Sequence, residues 1–155
     1  MGQYYLFVCP QLKQYIHPWF FSALAKETEY IINPVFTKAV CYLLSKSAGC
    51  GEGDLLHRDG DELVWKGKWH GYSVKIVGDY DSSNLYTKAK RTFTNISEQV
   101  IIEMCAINNL LCNEDLGTLI EEYGNKECCK DVRRALDVAL RYDIKLNHPE
   151  NLRSD

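Results

Sequence analysis

Glu52, Asp54, Asp79 and Asp81 are the side chains in this 155-residue chain best spaced to do chemistry, because two loops flanking residues 63–78 each carry acids two residues apart. If Asp54, Asp79 and Asp81 converge, their carboxylates offer the oxygen ligands that Mg²⁺ or Ca²⁺ requires. With Glu52 or His57 as base, the set would suit a small metal-dependent hydrolase acting on a phosphate-containing substrate. The plainer reading is preferred. Gly53-Asp54 and Gly78-Asp79 are turn dipeptides, in which glycine supplies positive φ and aspartate accepts from nearby backbone donors or caps the next helix. On that reading no cofactor is expected.

A second group is aromatic. Trp65, Trp69 and Tyr72, with Tyr80 and Tyr86 close behind, could stack on a nucleobase or a sugar, and Lys66, Lys68 and Lys75 would add positive charge. Single-strand nucleic-acid binding by such a ribbon is one open alternative. The simpler expectation is that the rings pack under helices while the lysines solvate the outer face, since the two sets fall on opposite parities. A net charge of −3 gives no global attraction to phosphate backbones, and all of the excess acid lies in residues 113–155. Nucleic acid is therefore not an expected partner.

The seven cysteines are Cys9, Cys41, Cys50, Cys105, Cys112, Cys128 and Cys129. The count is odd, the spacings lack two close ligand pairs for zinc, and no secretory segment is read ahead of them, so reduced thiols in the cytoplasm are expected. Cys41 and Cys105 fall in apolar runs, where a thiol behaves as a small hydrophobe. Cys50 with His57 or His70 lacks any local nucleophile signature. His17-Pro18 reads as a strand-to-helix junction and His70 as part of a turn. No apolar run approaches the roughly 20 residues that a spanning helix needs, so no membrane association is expected.

The elements that must position these groups follow from periodicity. Gln3–Cys9 alternates apolar and aromatic residues up to Pro10, and Gln14–His17 returns beside it through a Pro10–Lys13 turn. Pro18 opens a helix across Trp19, Phe20, Ala23 and Leu24. Asn33-Pro34 is a cap and first turn for a helix over 34–47, with Val35, Ala39, Val40, Leu43 and Leu44 on one stripe. The glycine-rich 49–60 stretch reads as a loop. Residues 63–78 then read as a second hairpin turning at His70-Gly71, with Leu63, Trp65, Gly67 and Trp69 on one face of its first arm and Tyr72, Val74, Ile76 and Gly78 on one face of its second. Helices are expected over 85–91, 97–106, 113–123 and 127–141, the last two forming a helical C-terminal extension.

Several short islands recur in a recognisable order: Met1-Gly2-Gln3-Tyr4-Tyr5, Gly53-Asp54-Leu55, Gly67-Lys68-Trp69 with Gly71, Val77-Gly78-Asp79-Tyr80, Asn84-Leu85-Tyr86 and Asn95-Ile96-Ser97. Together they resemble a family of small uncharacterised proteins of bacteria, protists and large DNA viruses. The resemblance covers roughly residues 1–105. It implies a shared fold unit and brings no activity, cofactor or partner. Pro18-Trp19-Phe20-Phe21 departs from it, standing where the family has a glycine-containing loop.

The chain is thus expected to be a single α+β domain over 1–147, with a core at 1–107, a helical extension at 113–147 and a frayed tail at 148–155. Its sheet is expected to be small and antiparallel, made of two hairpins packed by helices. The expected function is that of a non-enzymatic protein–protein interaction module, cytosolic or carried in a virion, whose partner is another protein or a second copy of itself.

Overall fold

The computed structural model describes residues 3–21, 25–46, 55, 63–105, 107, 110–111, 115 and 119. The fold is α+β, as the sequence implies. By contacts the chain divides into two compact units, one of residues 1–54 and 64–101 and one of residues 55–63 and 102–155.

In the first unit, β1 (Tyr5–Cys9) and β2 (Gln14–Ile16) form the expected hairpin. Phe7 stands opposite Ile16 and Cys9 opposite Gln14. The turn closes with the Lys13 N–H donating to the Pro10 carbonyl at 3.2 Å. Lys13 itself takes φ +53°, a conformation with a steric cost for a side-chain-bearing residue. Pro18–Phe21 is a 3₁₀ helix, and Ala23 and Leu24 of the expected helix lie outside the described residues. A separate short helix, α1 (Glu27–Ile32), precedes α2 (Pro34–Leu44). Asn33 caps α2 as its sequence position requires, its Oδ1 accepting from the Phe36 N–H at 2.9 Å.

The sheet is completed by β3 (Lys75–Gly78) and β4 (Thr94–Asn95), in the order β3-β1-β2-β4. Strand β3 runs antiparallel to β1, and β4 runs parallel to β2. The sheet is therefore mixed, and a wholly antiparallel pair of hairpins is not what forms. Between β3 and β4 lies α3 (Leu85–Thr92), and α4 (Ser97–Cys105) follows. Both faces of β1 are covered. Phe7 meets Tyr30 of α1 and Phe36 of α2 edge-on, with ring centroids 5.1 and 4.7 Å apart. On the other face Leu6, Val8, Tyr15 and Val77 pack with Ala89 of α3, joined by the half-buried Leu85, Tyr86 and Phe93.

The second hairpin does not form. Residues 64–72 are a run of tight turns, in which Lys68, His70 and Tyr72 N–H groups donate back to the carbonyls of Trp65, Gly67 and Trp69. The reason is α2. A helix leaves its last carbonyls without intrahelical partners, and this segment supplies donors to three of them. The Gly67 N–H donates to Tyr42 and the Trp69 N–H to Leu43, both at 2.9 Å, and the His70 ring Nδ1–H donates to Leu44 at 3.0 Å. Meeting those carbonyls bends the chain out of any strand, with Gly67 at φ +68° and Gly71 at φ +83°. Trp69 is sealed in the interior, 1% exposed, and its indole N–H donates to Gln14 Oε1 of β2 at 3.0 Å.

Of the second unit, the described residues include the end of α4, where the Ile107 N–H donates to the Met104 carbonyl at 3.2 Å. The expected loop at 49–60 and helices at 113–123 and 127–141 lie almost wholly outside the described residues, as do Cys50, Cys112, Cys128 and Cys129.

A Cβ on Gly67 would stand 2.9 Å from the Ser45 carbonyl and 3.3 Å from Lys46 Cα, whereas one on Gly71 would meet nothing within 4 Å. Both glycines have positive φ, so they separate conformational strain from collision. Gly71→Ala is expected to cost about 1–2 kcal/mol in urea denaturation, the strain alone. Gly67→Ala is expected to cost more, because backbone atoms must also move. Equal losses would mean that the close approach to α2 contributes nothing.

Candidate functional site

The structure gives Asp79 and Asp81 structural duties, and Gly78 lies within β3 without the positive φ expected of a Gly-Asp turn. Asp79 closes the end of the β1–β3 ladder: its N–H donates to the Tyr4 carbonyl at 2.9 Å and its Oδ1 accepts from the Tyr4 N–H at 3.1 Å. Asp81 Oδ1 accepts from the Ser83 N–H at 2.7 Å, and Ser83 Oγ accepts from the Leu85 N–H at 3.3 Å, which builds the entry to α3. Those hydrogen bonds from Ser83 hold the Asp81 carboxyl below the usual carboxylate range, with Lys75 a minor contributor. Glu52, Asp54 and His57 lie outside the described residues. Among the described residues, no group of three histidine, cysteine or acidic side chains could hold a metal ion.

The aromatic candidates are dispersed. Trp69 is a core residue, Trp65 is half-buried, and Tyr86 packs at the edge of the cluster around Leu6 with the Lys90 ammonium 5.6 Å from its ring centre. Tyr72 and Tyr80 are exposed. The expected packed face of the second arm is also revised. Ile76, which shares a parity with Tyr72, is 51% exposed, whereas Val77 of the opposite parity is buried beneath α3.

A concave feature among the described residues of the first unit was not visible in the sequence. An open groove of about 330 Å³ runs beside Ile76, floored by Phe7 of β1 and walled by Tyr30 and Ile31 of α1 and Phe36 and Val40 of α2. Glu27, Thr37 and Cys41 are the polar members of its lining. Cys41 is exposed there, unlike Cys105, which is buried. Ile31 is 60% exposed, and Ile32 at the end of α1 is 80% exposed. The groove exists because α1 and α2 reach Phe7 and stop short of closing over Ile76, its neighbour on β3. Its lining is mostly apolar and lies beside a sheet edge. The signal that could have found it was Ile31-Ile32 at the end of a short segment with acids in its first turn.

A buried junction lies on the far side of β2. His17 is 7% exposed; its N–H donates to Ser97 Oγ at 2.9 Å, and its Nδ1 accepts from the Trp19 N–H at 3.2 Å. Ser97 in turn donates through both its hydroxyl and its N–H to Asn95 Oδ1, at 2.6 and 3.0 Å. Asn95-Ile96-Ser97, formally a glycosylation sequon, is thus the hinge between β4 and α4. The His17 ring lies 4.8 Å from that of Trp19. Burial, with help from the Lys90 charge, lowers its pKa from 6.5 to about 4.

No protein family, curated protein or solved structure matches this chain.

Because His17 is held neutral when folded, the unfolded chain binds more protons between pH 6.5 and about 4. The stability it contributes is complete above pH 6.5 and is lost as pH falls through that window. Thermal melts of His17→Asn, which keeps a side-chain acceptor for Trp19, are expected to vary less with pH across that range than melts of the natural chain. Parallel profiles would show that His17 titrates normally when folded.

Proposed function

We propose that this chain is a non-enzymatic protein–protein interaction module, acting in the cytosol or within a virion, and that the groove beside β3 is where it binds. The observation that carries the reading is the half-exposed Ile76 on an edge strand, continuous with the apolar walls from α1 and α2. Exposed apolar surface beside an edge strand is costly to leave in water and is the usual mark of a recognition site. The groove supplies shape and apolar contact, and Glu27 supplies a charge at its border. The hydrolase reading draws no comparable support, because Asp79 and Asp81 are occupied with Tyr4 and Ser83 amides. Stacking of single strands draws none either, because Trp69 is sealed in the core.

Ile31→Asp and Ile76→Asp place charge in the groove at positions that already face water. Both variants are expected to melt within a few degrees of the natural chain. Immobilised natural protein is expected to retain a partner protein that both variants lose, as read by mass spectrometry of the eluates and then by titration with the purified partner. A partner held equally by all three proteins would remove the groove from the reading.

A further inference from the structure

We infer that the first unit carries a second site, on the face of its sheet opposite the groove, which binds a mononucleotide: the base stacks on Trp19 and Tyr4, and the phosphate is held by the His17 imidazole and the Lys90 ammonium. The residues concerned form a closed circuit of contacts beside the cluster around Leu6. Tyr4 meets Trp19 with ring centroids 6.2 Å apart, and Trp19 meets His17 at 4.8 Å. Lys90 is near enough for its charge to act on the His17 ring, and its ammonium stands 5.6 Å from the centre of the Tyr86 ring. The Asp79 charge is felt at the Tyr86 hydroxyl, and Asp79 accepts from the Tyr4 N–H, which brings the circuit back to its start. Phe7 and Ile76, which border the groove, alternate with Leu6 and Val77 and so point to the other side of the sheet.

Within this circuit, groups stand without the partners that a purely structural role would give them. His17 is 7% exposed, and its Nδ1 accepts from the Trp19 N–H, which puts the proton of the neutral imidazole on Nε2. That Nε2–H meets no acceptor among the described residues. A buried donor left unmet is destabilising, so an acceptor belongs there. Trp19 is 52% exposed and Tyr4 41%, and their planes stand at 78°, so the two rings offer a corner of bare aromatic surface beside the imidazole. The His17 and Lys90 groups both donate, and the acceptor that suits two donors from separate elements is an anion with several oxygens, a phosphate. At the other end, Asp79 gives Oδ1 to Tyr4 while its second oxygen accepts from no described residue and is open to an amino or hydroxyl donor. Donor, planar ring and phosphate together describe a nucleotide. Stacking on an aromatic face tolerates any base, so the site sets the class of ligand and not its base. One local cation holds one phosphate, whereas the net charge of −3 gives a longer strand no attraction.

The test is titration of the full chain with each of the four ribonucleoside 5′-monophosphates, followed by NMR at the His17 ring and the Trp19 indole. At least one nucleotide is expected to shift both residues saturably with a dissociation constant below about 1 mM, a level that one stacked base and one charge-assisted contact sustain. The matching nucleoside is expected to bind about tenfold more weakly, because it lacks the charge-assisted bonds. Inorganic phosphate alone is expected to shift His17 weakly and to leave Trp19 unmoved. Trp19→Ala and Lys90→Gln, both at exposed positions, are each expected to weaken the nucleotide about tenfold while melting within a few degrees of the natural chain. Should Trp19→Ala melt early, the shifts in the natural chain and the Lys90→Gln titration decide the matter. The proposal is overturned by the absence of a saturable shift with all four nucleotides, by inorganic phosphate binding as tightly as the nucleotide, or by binding that Lys90→Gln leaves unchanged.

Discussion

The C-terminal carbonyls of α2 are the point on which the first unit turns. Tyr42, Leu43 and Leu44 are met by Gly67, Trp69 and His70. A helix end buried without donors would lose on the order of a kcal/mol or more for each unsatisfied group. The same nonlocal contacts pull Trp69 into the interior, where its indole N–H reaches Gln14 and ties the loop to β2. One short segment thereby completes a helix and fills the core, and it also hands the chain on to β3.

From that constraint follows the shape of the groove. The chain reaches β3 through turns and not along a strand partner, so β3 enters the sheet beside β1 with its outer side unpaired among the described residues. The two helices over Phe7 are anchored elsewhere: α2 by its Asn33 cap and its C-terminal contacts, α1 through the Tyr30 ring against Tyr5 and Phe7. Neither extends across Ile76. The opposite face shows the contrast, because α3 follows β3 directly and folds back over Val77 and Leu6. An amphipathic strand covered on one face only thus has its exposed row aligned with an apolar recess.

Much of the framework was legible in local patterns. Asn33-Pro34 marked the start of α2 and Pro10–Lys13 the first hairpin turn, because each is fixed by interactions within a few residues. Period two misled at 63–72. Alternating apolar residues fit a strand, yet glycines at 67 and 71 also permit successive turns, and donors aimed at a helix end 25 residues earlier in the chain decided between the two. Helix α1 was missed because Glu27–Ile32 is too short to show a period, and with it went the groove, whose Tyr30 and Ile31 come from that helix. Of the acids, Asp81 accepts from the Ser83 turn amide, a duty that aspartate in a polar turn commonly takes, whereas Asp79 accepts from the Tyr4 N–H at the far end of the chain, a partner that no local pattern names. Cys41 was expected in the core because it sits within an apolar run, whereas the turn of α2 carries it to the open side.

By itself the sequence determined the mixture of helix and strand, the Asn33 cap, the first hairpin and the turn made by Asp81, all matters settled by short-range sterics and hydrogen bonding. Only the tertiary structure decided that β4 pairs parallel to β2, that Trp69 is interior while Ile76 is half in water, and that α1 and α2 frame a recess at the sheet edge. Those outcomes depend on which distant donor meets which carbonyl and which face receives a helix, and no period or composition within one segment encodes the position of another.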